Sequence, residues 1–282
     1  MSQNHRKVNI VNRNATLAVN LCERPSSDTI ILLHGGPGVP DEMTEVRNWL
    51  CQHFQVISFD QRGIGPSENE DITFTMEDYL DDINCIASNF SVDRFHLFGH
   101  SWGGLLGQLY ASKFPEQLLS LFLCSPASGF GKEWKIAERE IFKYNFRRST
   151  IPEWIKMSID TIRGMMGSKK AYRSLFKQII INYHKGFGVD PPDDQKLSRI
   201  SSMGGTKTRH EIRKHPPLKH FGKTPFRVMI TYGESDAFGR SRRFVLDRFP
   251  EATTTIIPAS GHTPWKHNLP EFEKVLHSFY LM

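Results

Sequence analysis

One stretch limits the folds open to this chain more than any other: Phe98-Gly99-His100-Ser101-Trp102-Gly103-Gly104. Before it, Phe95-His96-Leu97-Phe98 reads as a short buried strand. After it, Trp102 to Phe114 reads as a helix with small residues in its first turn. A serine on so tight a strand-to-helix turn sits in strained backbone, so only glycines fit two residues to either side. The turn leaves the hydroxyl exposed at a helix N-terminus, where partial positive charge favours an oxyanion. Gly-x-Ser-x-Gly recurs by chance in many chains; here the flanking strand and helix, and partners downstream, give it weight.

A serine hydroxyl is a weak nucleophile until a base takes its proton, and an acid must hold that base in one tautomer. On a scaffold with this elbow the chain order is Ser, then Asp or Glu, then His. Phe226 to Tyr232 reads as a strand that leaves through Gly233-Glu234-Ser235-Asp236, and Thr253 to Ile257 as another, followed by Pro258-Ala259-Ser260-Gly261-His262. Ser101, Asp236 and His262 therefore each stand just past the C-terminal end of a strand, the edge where open α/β sheets bind ligands. Glu234 is a rival acid, and Asp236 is favoured because the acid usually ends such a turn. His267 shares the late position of His262 but falls five residues further on, at the start of a C-terminal helix, so His262 is favoured as the base. An oxyanion needs two donors. The backbone N–H of Trp102 is one; Gly36, in the His34-Gly35-Gly36-Pro37-Gly38 loop after the strand Thr29 to Leu33, is the other, since Pro37 has no N–H.

Three segments, His34 to Gly38, Asp60-Gln61-Arg62-Gly63-Ile64-Gly65-Pro66-Ser67 and Gly99 to Gly104, together resemble the α/β-hydrolases of the proline iminopeptidase group in order and spacing. The resemblance covers about Thr29 to Pro126 and Pro225 to the C-terminus. It implies an α/β-hydrolase fold: a mostly parallel central sheet flanked by helices, with an inserted helical cap. It also implies that Ser101, His262 and Asp236 work through an acyl-enzyme with no metal or organic cofactor, and that Asp60 and Arg62 brace loops. The implied activity is that of an aminopeptidase or amidase on short peptides or other small molecules. Proline iminopeptidases more often carry Gly-Gly-Ser-Trp-Gly at the elbow, where this chain has His100. Related aminopeptidases, amidases, esterases and lactonases share the His variant, so an esterase or lactonase for small acyl substrates is the alternative. A ligand-binding homologue without turnover is a third reading.

The length of 282 residues suits one such core, residues 1–130 and 223–282, plus a cap over residues 131–222. Strands alternate with helical segments in the core: Lys7 to Val11 and Thr16 to Cys22 form an opening hairpin, Phe54 to Phe59 and Leu119 to Cys124 are strands, and a capping-box pattern at Thr75 begins a helix that runs to about Phe90. The middle segment reads as helices with loops at Asp190 to Asp194 and at Met203-Gly204-Gly205. It holds 20 Lys and Arg against 9 Asp and Glu, whereas the rest holds 16 against 21. That charge reads as a solvated amphipathic face rather than a nucleic-acid surface, because no zinc-finger, aromatic-platform or helix-turn-helix pattern accompanies it. An aminopeptidase must hold a cationic amine, and Glu133, Glu138, Glu140 and Glu211 are the middle-segment candidates, with Trp134 as a pocket wall. Met1 to Lys7 is polar with no apolar core of a leader, no run reaches membrane-spanning length, and Cys22, Cys51, Cys85 and Cys124 are scattered as reduced thiols would be. These features point to the cytoplasm.

Overall fold

The structure is a computed structural model that describes residues 4–65 and 71–282. Pro66 and Ser67, the end of the Asp60 to Ser67 segment, and residues 1–3 lie outside the described residues. Eight strands form one sheet: β1 (Asn4–Asn12), β2 (Ala15–Glu23), β3 (Thr29–Leu33), β4 (Gln55–Phe59), β5 (Phe95–His100), β6 (Leu118–Cys124), β7 (Arg227–Gly233) and β8 (Thr253–Ile257). Their order is β1-β2-β4-β3-β5-β6-β7-β8. The opening hairpin pairs antiparallel and β2 runs antiparallel to β4; from β4 through β8 every pair is parallel.

All five residues of β3 are buried, as a parallel strand covered on both faces requires. Its side chains alternate between two cores. Ile31 and Leu33 pack under α2 (Met76–Asn89) and α3 (Trp102–Lys113). Ile30 and Leu32 pack on the other face under α1 (Thr44–Leu50) and the C-terminal α11 (Leu269–Tyr280). The short helices α9 (Arg243–Arg248) and α10 (Pro264–His267) lie between β7 and α11 in the chain. Strand order turns back at β3, which has β4 on one side and β5 on the other. The loops leaving β3 and β5 diverge there and open a crevice at the C-terminal edge.

Between β6 and β7 the chain makes one long helical excursion: α4 (Lys132–Arg148), α5 (Ile151–Met165), α6 (Lys169–His184), α7 (Asp194–Ser198) and α8 (Ser202–Lys214). Thr150 starts α5 with a full capping box, its backbone N–H donating to Glu153 at 2.7 Å. Tyr172, Phe176, Ile180, Leu197 and Ile200 make a small core of their own. One expectation fails here. Met203-Gly204-Gly205 is the first turn of α8, capped by the Ser201 hydroxyl, and not a loop. The glycines are there for contact: a Cβ on Gly205 would lie 1.9 Å from the Tyr172 hydroxyl, and one on Gly38 would lie 2.5 Å from the Gly205 nitrogen. The helix thus sits directly on the loop after β3, with no side chain between them.

Candidate active site

Ser101 joins β5 to α3 with φ of 54°, in the left-handed region that a residue with a Cβ enters only at a cost. The turn is so tight that a Cβ on Gly99 would lie 2.4 Å from the Gly103 carbonyl oxygen, and one on Gly103 would lie 2.1 Å from the Leu33 carbonyl oxygen. The second contact presses the elbow against the end of β3, where the His34 to Gly38 loop begins.

Two loops from the far half of the chain meet this hydroxyl. His262 Nε2 lies 3.0 Å from Ser101 Oγ, and His262 Nδ1 lies 3.0 Å from Asp236 Oδ1. Asp236 also accepts the Phe238 backbone N–H at 3.0 Å. Burial pushes the Asp236 carboxyl up, but the His262 charge and the hydrogen bonds from His262 and Phe238 outweigh it, so the pKa lies below the usual carboxylate range. Glu234, the rival acid, turns away and accepts the Ala259 N–H at 3.1 Å. His267, the rival base, accepts the Gly261 N–H on Nδ1 at 2.9 Å, which leaves Nε2–H to face His184 at 2.9 Å and Thr263 at 3.2 Å. Gly36, with φ of 130°, and Gly35 border the cavity beside Ser101, and Trp102 opens α3 with its N–H in the first turn.

Two positioning contacts are absent from the sequence reading. Gln61 takes the Trp102 indole N–H at 2.7 Å, donates its amide to the His34 carbonyl at 2.9 Å, and donates its backbone N–H to His34 Nε2 at 3.0 Å. One side chain thereby locks the loop after β3 to the elbow helix. The second is His100, whose Nε2–H donates to the His262 carbonyl at 2.9 Å and whose ring meets Trp265 edge-on at 4.6 Å. Burial, with the nearby His262, lowers the His100 pKa to about 3, so the ring is neutral. Asp60 pairs with Arg199, beside α7, and Arg62 grips Asp82 through two bonds of 2.7 and 2.8 Å.

Above the serine is a cavity of about 950 Å³. Gly35, Ser101 and His262 form its floor, while Trp134, Met157, Phe176 and Tyr183 of the helical excursion make much of its wall. The Tyr183 ring lies against that of His262, tilted by 46° with centroids 4.8 Å apart. The four glutamates fare differently from expectation. Glu138 borders the cavity but is clamped by Arg213 at 2.8 and 3.2 Å. Glu133 lies outside the wall, 2.6 Å from the buried guanidinium of Arg248, which it neutralises. Glu140 accepts the backbone N–H groups of Gly239 at 2.9 Å and Ser241 at 3.2 Å, which need a buried acceptor where the Asp236 loop turns. Glu211 is half-buried on α8 and also outside the wall. Trp134 stands in the wall. The other bordering carboxylate, Glu42, faces Lys266 at 3.3 Å. Among the described residues, no carboxylate of the wall is left without a basic partner.

The family model described as the alpha/beta hydrolase fold matches residues 28–264. The proline iminopeptidase of Lactobacillus delbrueckii subsp. bulgaricus is 31% identical over 122 residues, which are 41% of this chain and 41% of that protein. The chain thus matches well under half the length of that relative. The proline iminopeptidase of Clostridioides difficile (strain 630) is 26% identical over 266 residues, covering 88% of this chain and 87% of the other. The crystal structure of VinJ superposes with a TM-score of 0.74 at 16% identity, covering 97% of each chain, a likeness of fold.

Proposed function

This chain belongs to the α/β-hydrolase fold family as a proline iminopeptidase-like hydrolase, and from that premise we propose that Ser101, His262 and Asp236 are its catalytic triad. The observation that carries the reading is the unbroken relay of two 3.0 Å contacts from Ser101 Oγ through His262 to a buried carboxylate. Asp236 accepts Nδ1–H, which leaves Nε2 bare to take the serine proton. Ser101 Oγ then bonds to the carbonyl carbon. The electron pair of the carbonyl goes to oxygen, and the Gly36 and Trp102 N–H groups receive that oxyanion. His262 gives its proton to the leaving group as the tetrahedral species collapses to an acyl-enzyme. Water, deprotonated by the same nitrogen, releases the acid and restores Ser101. The excursion over residues 131–222 acts as a lid that excludes water and shapes the acyl pocket.

The substrate that this cavity suits best is an ester or lactone with a large apolar acyl part. Its walls are mostly aromatic and aliphatic, Arg209 and Arg213 border it as basic groups, and both bordering carboxylates are already neutralised. A free α-ammonium would have to stay unpaired among apolar walls or break an ion pair, and either is costly. One observation favours a second reading, aminopeptidase action. Arg213 is half exposed, so it can swing to solvent and free Glu138 for an amine. A panel of aminoacyl-arylamides, their N-acetyl forms, and p-nitrophenyl esters of rising chain length separates the two. Acyl recognition predicts that N-acetylation leaves turnover unchanged or raises it, and that longer chains lower KM. Loss of all turnover on N-acetylation means the aminopeptidase. A fluorophosphonate should label Ser101 once, and labelling at any other serine removes the triad.

A further inference from the structure

α5 buries Met157 and Asp160, and along its opposite face Ile151, Ile155, Ile159, Ile162 and Met166 follow one another at spacings of four, four, three and four. Those spacings align them on a single stripe. All five are exposed: Ile151 is 78% accessible and Met166, just past the helix, 82%. Phe142 and Phe146 of α4 extend the patch, both exposed and both edge-on to Trp154 at about 5 Å. A soluble chain gains nothing by holding so long an aliphatic row in water, and contiguous patches of this kind mark binding faces.

Two further observations say what covers it. The first is charge. From Phe142 to Lys170 the sequence carries seven Lys and Arg and only two acids. Both acids are engaged, Glu153 in the α5 capping box and Asp160 with Lys156 at 2.7 Å. Lys156 and Arg163 flank the stripe on α5 itself. A helix with an apolar face and a basic margin lies flat in an anionic lipid surface, its aliphatic side chains among the acyl chains and its cations at the phosphates. In a two-fold contact between copies of this chain, that same basic margin would face itself. The second is continuity with the cavity: Phe142, Ile162 and Met165 are solvent-exposed and at the same time border the cavity above Ser101.

We propose that the exposed stripe of α5, with Phe142 and Phe146, docks the protein on an anionic lipid surface with the mouth of the cavity beside the contact. The docking face is independent of the chemistry at Ser101. Entry of an apolar substrate straight from the lipid rests in addition on the hydrolase reading given above.

The test is flotation of the Ser101→Ala protein with phosphatidylcholine vesicles and with vesicles containing about one-third phosphatidylglycerol. Binding is compared with that of the triple variant Ile151→Gln, Ile155→Gln, Ile159→Gln, whose three positions do not border the cavity. Docking predicts partition onto the anionic vesicles, at least tenfold weaker onto the neutral ones, and at least tenfold weaker again for the triple variant. The triple variant in the Ser101 background should keep its melting temperature and its turnover of a water-soluble ester. No vesicle binding overturns the proposal. So does binding that the triple variant retains and that high salt abolishes, since the Ile side chains then play no part. A wild-type dimer in sedimentation that the triple variant dissolves also overturns it, because a second copy then covers the stripe. Failure of the wild type to turn over any ester bears on the chemistry and leaves the vesicle result standing.

Discussion

Glu133→Gln should weaken the fold and leave turnover alone. Glu133 sits on α4 and Arg248 at the end of α9, and their 2.6 Å contact ties the helical excursion to the sheet domain. The Arg248 side chain is 2% exposed and that of Glu133 18%. Burial raises the Glu133 pKa in spite of the guanidinium beside it and lowers that of Arg248, so desolvation outweighs attraction for both partners. The pair as a unit therefore adds little stability, and the cost lies in breaking it. Removing one member of a buried pair costs about 3–5 kcal/mol when the other charge is stranded. Arg248 would keep Gln108 Oε1 at 2.5 Å and the Ser128 carbonyl at 3.0 Å, and the new amide oxygen can still accept one N–H. Those bonds bring the expected loss down to about 2–3 kcal/mol. For a chain of this size that is a fall in Tm of about 3–5 °C, measured by calorimetry beside kcat/KM on the best ester. Arg248→Met added to Glu133→Gln should recover at least half of the loss, because no charge is then left buried. A Tm within 1 °C of wild type refutes this reasoning. A tenfold fall in kcat/KM at unchanged Tm would restore Glu133 as a substrate ligand.

Two other outcomes follow from the site. Asp236→Asn should lower kcat about 10⁴-fold, because an amide can donate to Nδ1 and fix the wrong tautomer, while Glu234→Gln should cost less than threefold; the reverse ranking in steady-state assays would transfer the acid's role to Glu234. Stability should fall on mild acidification. Burial first, with nearby positive groups, lowers His100 to about 3, His184 to about 4 and His267 to about 3, so between pH 6.5 and about 4 the unfolded chain binds protons that the folded one does not. Each such histidine contributes a slope of about 1.4 kcal/mol per pH unit, with stability lost as pH falls. A Tm flat from pH 7 to pH 4.5 would show that these rings are protonated in the fold.

What the sequence made legible is what local pattern encodes. The strand-Gly-x-Ser-x-Gly-helix run, the order Ser, Asp, His and the unbroken apolar runs of buried strands such as β3 all depend on near neighbours, and the structure brings Ser101, Asp236 and His262 together. The glutamates were opaque for the opposite reason. Glu133 finds Arg248 at a separation of 115 residues and Glu140 finds Ser241 at 101, and no local signal marks such a partner. Gln61 was hidden by its ordinary appearance within a turn, since its three bonds reach His34 and Trp102 through space. Gly204 and Gly205 misled because glycine argues for a loop wherever close contact with another backbone is invisible. In α8 Gly205 admits Tyr172 and the loop after β3, and Gly204 faces Ser201 and the Gly63 carbonyl.

The wide chain separation of the site also sets a timetable. Ser101 leaves the ribosome 161 residues before His262, and between them come the whole helical excursion and β7. At about 5–20 residues per second, roughly 10–30 s pass in which the elbow can form around a hydroxyl with no base to activate it. The proposed nucleophile is thus synthesised well before the proposed base and before the part of the pocket floor that His262 supplies. On the proposed triad, a chain stalled anywhere short of β8 exposes neighbouring nascent proteins to an inert serine, and His262 meets Ser101 only once the last strand is in place against β7.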